Sequence, residues 1–192
     1  MATGRPEIIR TRTAHAGWSK LLVATIRLPD GSTIEREIED HGAAACVLPY
    51  NAARRTAILV RQFRAAVLFA AKEEETLEAI AGILEESDPA ACARREAMEE
   101  AGLTLTRLEH VCSGWTMPGL STERMHFYLA PYDGDARADR RGGVASEHEE
   151  IVAVEIDLRE LVTMADQGRL RDVKTLLLVQ ALRLRRPDLF AA

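Results

Sequence analysis

The sequence predicts an α/β protein with a small antiparallel sheet ahead of its main core. Three observations carry that expectation. Aliphatic runs of strand character at 18–28, 33–39, 43–49, 56–63, 105–115, 123–132 and 151–156 are interspersed with helical segments at 88–102, 158–167 and 172–186. The first two runs are joined by Pro29-Asp30-Gly31-Ser32, whose turn chemistry makes them a hairpin. The helix at 88–102 carries its own start and stop. Asp88 is a good N-cap, Pro89 fits the first helical position, and Gly102 supplies the left-handed residue that ends it.

Composition bounds the rest. A chain of 192 residues with 47% hydrophobic content supports one main domain, residues 43–192, with a small appended element, residues 1–42. The net charge of −5 argues against sequence-independent binding to nucleic acid, but leaves room for a small anionic ligand held by a metal or a local basic patch. Three cysteines, Cys46, Cys92 and Cys112, are odd in number and widely spaced. They suggest neither a zinc site nor a disulfide framework, and favour a reducing cytoplasm. The N-terminus lacks an apolar signal core and no apolar run approaches ~20 residues, so no membrane span is expected.

In chain order, residues 1–17 are polar and receive no assignment. The hairpin 18–39 has aliphatic residues but no core of its own, and a second copy of the chain would cover it in a homodimer. Residues 51–55 form a polar turn, 72–75 a charged loop tip, and 76–82 the approach to the capped helix. Residues 117–121 form a loop containing Pro118. The stretch 133–146 is long, charged and Gly-containing, a length that in a compact domain usually marks function or disorder. It runs into Glu147-His148-Glu149-Glu150. A helix at 158–167 stops at Gly168. Asp172 caps the last helix, whose Leu176, Leu177, Val179, Leu182 and Leu184 are expected mostly in the core. Lys174 lies in its first turn, where the helix dipole disfavours a cation, a mild sign of use.

The chemistry concentrates in the capped helix. Glu96, Glu99 and Glu100 stand at i, i+3 and i+4, so their carboxylates share one face, with neighbouring Cβ atoms roughly 5–6 Å apart. They repel one another and sit toward the helix C-terminus, where anions are disfavoured. A solvated acidic face has the same pattern. So does a site for a hard cation such as Mg²⁺ or Mn²⁺, which takes oxygen ligands. Arg95 and Glu99 stand four apart and suit a pair, which leaves Glu96 and Glu100 for metal.

The segment 82–103 resembles the Nudix box, G-x5-E-x7-R-E-U-x-E-E-x-G-U with U aliphatic. Arg95-Glu96-Ala97-Met98-Glu99-Glu100-Ala101-Gly102-Leu103 matches its second half. The first half departs from it. Asp88 replaces the Glu, and six residues instead of seven precede Arg95. We attribute both changes to a helix start shifted to Asp88-Pro89, which makes Asp88 a cap and not a ligand. Further matches to the family's nucleoside-diphosphate-sugar branch are Val60-Arg61-Gln62-Phe63-Arg64, the approach Glu78-Ala79-Ile80-Ala81-Gly82, the Gly142-Gly143-Val144 before the acidic cluster, and Arg171-Asp172-Val173-Lys174-Thr175.

The resemblance implies a Nudix α/β/α sandwich with a mixed sheet and a dimerising N-terminal sheet. It implies metal ligation by Glu96, Glu100, Glu149 and the Ala81 carbonyl, with Glu78 outside the first ligand layer. Glu149, Glu99 and Arg95 are its catalytic candidates. Trp18, Arg36, Arg64, Gly82, Ile83, Glu123, His148 and Lys174 are its substrate contacts, Arg36 reaching the partner's substrate. The implied activity is Mg²⁺-dependent hydrolysis of a nucleoside diphosphate sugar, GDP-mannose-like or alternatively ADP-ribose. Glu35 stands where the GDP-mannose branch carries Lys, so base and sugar stay open. The competing class is a Nudix domain that senses nucleotide sugars without cleaving them. Such domains usually lose a metal carboxylate, and here none is missing.

Overall fold

The computed structural model describes residues 4–85, 87–134, the backbone of 141–142, and 151–191. The chain divides into two compact units, residues 1–43 with 114–125, and residues 44–113 with 126–192.

The first unit is built on a three-stranded antiparallel sheet of β1 (Glu7–Ala16), β2 (Lys20–Arg27) and β3 (Thr33–Asp40). The expected hairpin is present. Gly31 takes φ 84°, and Leu28 N–H donates to the Ser32 carbonyl at 2.8 Å. Strand β1 was not foreseen. All ten of its residues are exposed, so no apolar alternation marks it. What marks it is β-branched content (Ile8, Ile9, Thr11, Thr13) and an antiparallel register on β2 interrupted by two irregularities.

The second unit is centred on an eight-stranded sheet. The remaining strands are β4 (Ala44–Asn51), β5 (Thr56–Phe63), β6 (Glu75–Glu78), β7 (Ile80–Ile83), β8 (Glu109–Trp115), β9 (Arg124–Pro131), β10 (Arg141–Gly142) and β11 (Ile151–Asp157). Their order is β10-β11-β5-β4-β9-β8, with β6 pairing on β5 and β7 on β4. Alternation along β4 serves both faces. Ala45 and Val47 join the core beneath the helix α2 (Pro89–Ala101), with Ile58, Val60, Ile80, Ala93 and Ala97. On the other face lie α3 (Leu158–Asp166) and α4 (Val173–Arg185), which bury Leu158, Leu161, Leu178 and Leu182.

Two expectations change. A short helix, α1 (Ala65–Ala71), occupies the gap left between the strand at 56–63 and the tip at 72–75; it buries no residue and so shows no amphipathic stripe. In α4 the core positions are Thr175, Leu178, Val179 and Leu182, while Leu184 is exposed. Most of the loop 133–146 and the cluster 147–150 lie outside the described residues.

The start of α2 follows the capping expectation. Asp88 has extended backbone and its Oδ1 accepts the Ala90 N–H at 2.9 Å, with Pro89 at the first helical position. Gly102 closes the helix at φ 65°, its N–H on the Met98 carbonyl and the Leu103 N–H on the Ala97 carbonyl. Asp88→Ala is therefore expected to lose about 0.5–2 kcal/mol of stability, read by urea unfolding. A variant with unchanged stability contradicts the capping role.

Candidate functional site

Helix α2 turns two carboxylates inward. Its buried stripe is Cys92, Ala93, Glu96, Ala97, Glu100 and Ala101. The small residues bring the helix close to the sheet, and the two glutamates between them go inside with it. Glu96 is 9% exposed and Glu100 6%, with Glu100 Oε2 enclosed in the interior. A solvated acidic face predicts the opposite. Glu99 alone of the three stays outside.

Strand β7 makes this approach possible. It pairs with β4 in the register Ala45 to Gly82 and Cys46 to Ala81. A Cβ on Gly82 would stand 1.9 Å from Glu96 Oε1 and 2.7 Å from its Cγ, so only glycine fits with the carboxylate in place. Arg95 holds the assembly from the rim. Its Nη2 lies 2.8 Å from Glu96 Oε1 and donates to the Ile83 carbonyl at 3.2 Å, while Nη1 lies 3.1 Å from Glu99 Oε2. The anticipated Arg95–Glu99 pair exists, but the same guanidinium also binds Glu96. The structure thus brings Gly82, Ile83, Arg95, Glu96 and Glu99 together, on α2 and the β7 strand it packs against.

A second cluster converges on Glu78, at the end of β6 and 3% exposed. Arg64 approaches it as a fork, Nε to Oε1 at 2.8 Å and Nη2 to Oε2 at 2.9 Å. Thr76 donates to Oε1, and Lys174 Nζ to Oε2 at 3.3 Å. Lys174 also reaches Asp172 Oδ1 at 2.7 Å. Asp172 Oδ2 accepts the Thr175 hydroxyl at 2.6 Å, and the Ala79 N–H donates to Thr175 Oγ1 at 2.6 Å. This chain of bonds docks the start of α4 on the link between β6 and β7, beside the Ala81–Ile83 strand. It also explains the lysine at a helix N-terminus, since two carboxylates face it. The thiol of Cys46 is fully buried between the clusters. Burial pushes it well up; Lys174 lowers it, and Asp172, Glu100 and Glu78 raise it.

Burial alone would raise the Glu78 carboxyl. The Arg64 hydrogen bonds, the Lys174 and Arg64 charges and the Thr76 hydroxyl outweigh it and hold the group at about 2. Lys174 is penalised by burial too, yet Asp172 and Glu78 keep it above its ordinary value. Two cations and two anions therefore cancel here, and the cluster is rigid without being net positive.

Other sequence candidates lie in the first unit. Trp18 is 79% exposed, and Arg36 is exposed with Nη1 donating to the Glu35 carbonyl at 2.8 Å. Glu123 is partly buried, its carboxylate 3.2 Å from His41 Nε2 and bonded by the Thr116 hydroxyl. Asp172 caps α4 as expected, but sequence reasoning missed its bond to Lys174, and it missed His41 and Thr76, which carry no motif of their own. Their signal is spatial. Glu149 and His148 lie outside the described residues. No group of three or more His, Cys, Asp or Glu side chains able to hold a metal occurs among the described residues. Glu96 and Glu100 still suit a hard dication, being oxygen donors enclosed side by side, one of them in a niche that only glycine leaves open. Among the described residues no helix is long and apolar enough to cross a membrane.

Comparison with known proteins agrees with this geometry. Residues 40–178 match the model of the NUDIX domain. A GDP-mannose pyrophosphatase of Cronobacter sakazakii is 41% identical over 159 residues, covering 81% of this chain and 82% of that protein. The GDP-mannose pyrophosphatase of Escherichia coli O157:H7 is 37% identical over 158 residues, covering 81% and 82%. A solved structure of an ADP compounds hydrolase superposes with a TM-score of 0.76 at 16% identity, covering 96% of both chains.

Glu78 makes the acid limb of stability specific. Its folded pKa is lowered from 4.5 to about 2, so its contribution is full above pH 4.5 and is lost as pH falls toward 2. The shift corresponds to about 3 kcal/mol. Glu78→Gln is expected to lose up to about that much at pH 7, with the gap to the parent closing between pH 4.5 and 2 in urea unfolding with chelator. A gap independent of pH contradicts the assignment.

Proposed function

The chain belongs to the Nudix family, and from that premise we propose that it hydrolyses the diphosphate of a nucleoside diphosphate sugar, GDP-mannose-like before ADP-ribose, with Mg²⁺ or Mn²⁺. Water adds to one phosphorus, the bridging P–O bond breaks, and the water proton passes to a base. The products are a nucleoside monophosphate and a sugar 1-phosphate. The observation that carries this reading is the burial of Glu96 and Glu100 against Gly82. An acidic pair enclosed at such cost has a use for a cation. The names of the relatives, GDP-mannose pyrophosphatase and ADP compounds hydrolase, supply the substrate class.

In this reading Glu96, Glu100, Glu149 and the Ala81 carbonyl hold the metal. A dication bound there would neutralise the diphosphate and acidify the attacking water. Arg95 orients Glu96 and Glu99, and Glu149 is the candidate base. Arg64 and Lys174 face the phosphates, aligned by Glu78, with the backbone of Gly82 and Ile83 alongside. Because Glu78 and Asp172 cancel the charge of Arg64 and Lys174, those cations orient the anion and the metal supplies the net attraction. Trp18, Arg36, Glu123 and His148 complete the substrate contacts. The sensing alternative is disfavoured by the presence of Glu96, Glu99, Glu100 and Glu149.

Assay of GDP-mannose, ADP-ribose and other nucleotide sugars with Mg²⁺ tests the activity directly. Release of nucleoside monophosphate and sugar 1-phosphate is expected, and binding without products would instead identify a sensor. Glu100→Gln is expected to keep the fold, since it removes one of two adjacent buried charges, and to lose at least about 100-fold in kcat. A near-normal kcat under saturating Mg²⁺ rejects the metal assignment.

The same reading includes a cytoplasmic homodimer that uses the N-terminal sheet. Strand β1 is exposed along its whole length, and Ile8 and Ile9 stand on it. Sedimentation at micromolar concentration is expected to give a dimer. A monomer rejects it.

A further inference from the structure

Within the first unit, His41 joins three segments that are far apart in sequence. Its Nδ1 lies 2.7 Å from Glu39 Oε1, at the end of β3, and its Nε2 lies 3.2 Å from Glu123 Oε1, in the segment between β8 and β9. Its ring stacks on Trp18, in the turn between β1 and β2, with centroids 5.0 Å apart and planes at 25°. The two carboxylates are themselves anchored. Ser121 Oγ donates to Glu39 Oε2 at 2.7 Å and accepts the Glu123 N–H at 3.0 Å. Thr116 Oγ1 donates to Glu123 Oε2. Glu39 N–H bonds the Leu120 carbonyl and Thr122 N–H bonds the Glu39 carbonyl, both at 2.9 Å.

This arrangement suits a doubly protonated ring. An imidazolium donates from both nitrogens, whereas a neutral ring sets a lone pair against one of its carboxylates. The charged groups facing His41 are Glu39 from β3 and Glu123 from the 114–125 segment; Trp18 covers a ring face and adds no charge. Burial disfavours the charged ring, but the Glu39 and Glu123 contacts outweigh it and raise the pKa above the ordinary 6.5. The charged ring thus persists to higher pH than in a free histidine, and it is lost as pH rises through that raised value.

We propose that His41 is a positioning residue for nucleobase recognition: it backs the indole of Trp18, so that a base stacks on the opposite face, and it fixes Glu123 beside that platform as an acceptor for base N–H groups. Trp18 is 79% exposed, a costly placement for an indole that has no ligand. Each Glu123 oxygen keeps a lone pair beyond its bond to His41 or Thr116. The inference rests on the nucleotide-sugar reading and adds to it a residue that touches no substrate.

The test uses the full chain with Trp115→Phe, which leaves Trp18 as the single indole. His41→Phe keeps a ring but no donors, and His41→Arg keeps two donors and the charge. KM and kcat for GDP-mannose with Mg²⁺, and quenching of Trp18 fluorescence by GMP and AMP, are measured from pH 5.5 to 9. With His41 intact, KM and the nucleotide Kd are expected to rise about tenfold across the His41 titration. His41→Phe is expected to show the high values at every pH, with kcat changed less than about twofold. His41→Arg is expected to show the low values at every pH.

Equal KM and Kd for His41→Phe and its parent overturn the proposal, and so does parallel loss of kcat and KM in both variants. If no nucleotide sugar is hydrolysed, the proposed function falls, but quenching by GMP or AMP still decides the platform. Quenching weakened in His41→Phe and kept in His41→Arg supports it, and absent quenching at millimolar nucleotide overturns it. Should His41→Phe fail to fold, the missing pH step in His41→Arg carries the test.

Discussion

The close approach of α2 to β7 governs the second unit. A helix whose inner stripe is alanine and cysteine settles near the sheet, and Gly82 removes the last obstacle. Glu96 and Glu100 are carried inside because they belong to that stripe, not because the helix end favours anions. Taking carboxylates out of water costs several kcal/mol each unless opposite charge is supplied. Arg95 supplies part of it at Glu96. Packing against the sheet keeps the two carboxylates enclosed side by side.

Glu78 organises the neighbouring cluster in a different way. It is an anion whose donors come from three places, the end of β5, its own strand and the first turn of α4. Arg64 and Lys174 are long side chains with many rotamers on their own, and the shared acceptor gathers them with Thr76 into one group. The Asp172–Thr175–Ala79 bonds then tie α4 to the strand next to the helix site. Catalytic geometry on the ångström scale needs supports of this kind, because small misplacements cost large factors in rate.

Legibility followed the locality of the signal. The α2 cap and stop, the Gly31 hairpin, the turn at 51–55 and α4 could be read because each is written in a few adjacent residues. The spacing of Glu96, Glu99 and Glu100 gave their common face, but not which of them is inside. That depends on where Cys92, Ala93 and Ala97 meet the sheet. Strand β1 and helix α1 escaped because neither buries a face, so neither has a period to detect. His41 escaped because its partner Glu123 and the Trp18 ring are brought to it by topology. Lys174 was noticed for the right anomaly, a cation at a helix start, although the structure resolves that anomaly internally with Asp172 and Glu78.

The alanine stripe of α2 also limits how this protein can change. Cores elsewhere can be strengthened by filling space, since larger apolar side chains add burial where there is room. Ala93, Ala97 and Ala101 are buried in the packed core under the helix, so larger side chains there are expected to push the helix from the sheet and draw Glu96 away from Gly82. The element that carries the candidate chemistry is therefore closed to stabilisation from within. Gains in robustness have to be made at a distance, on surfaces such as α1 or the exposed face of β1. Tolerance to mutation and chemical competence are thereby housed in different parts of one small chain.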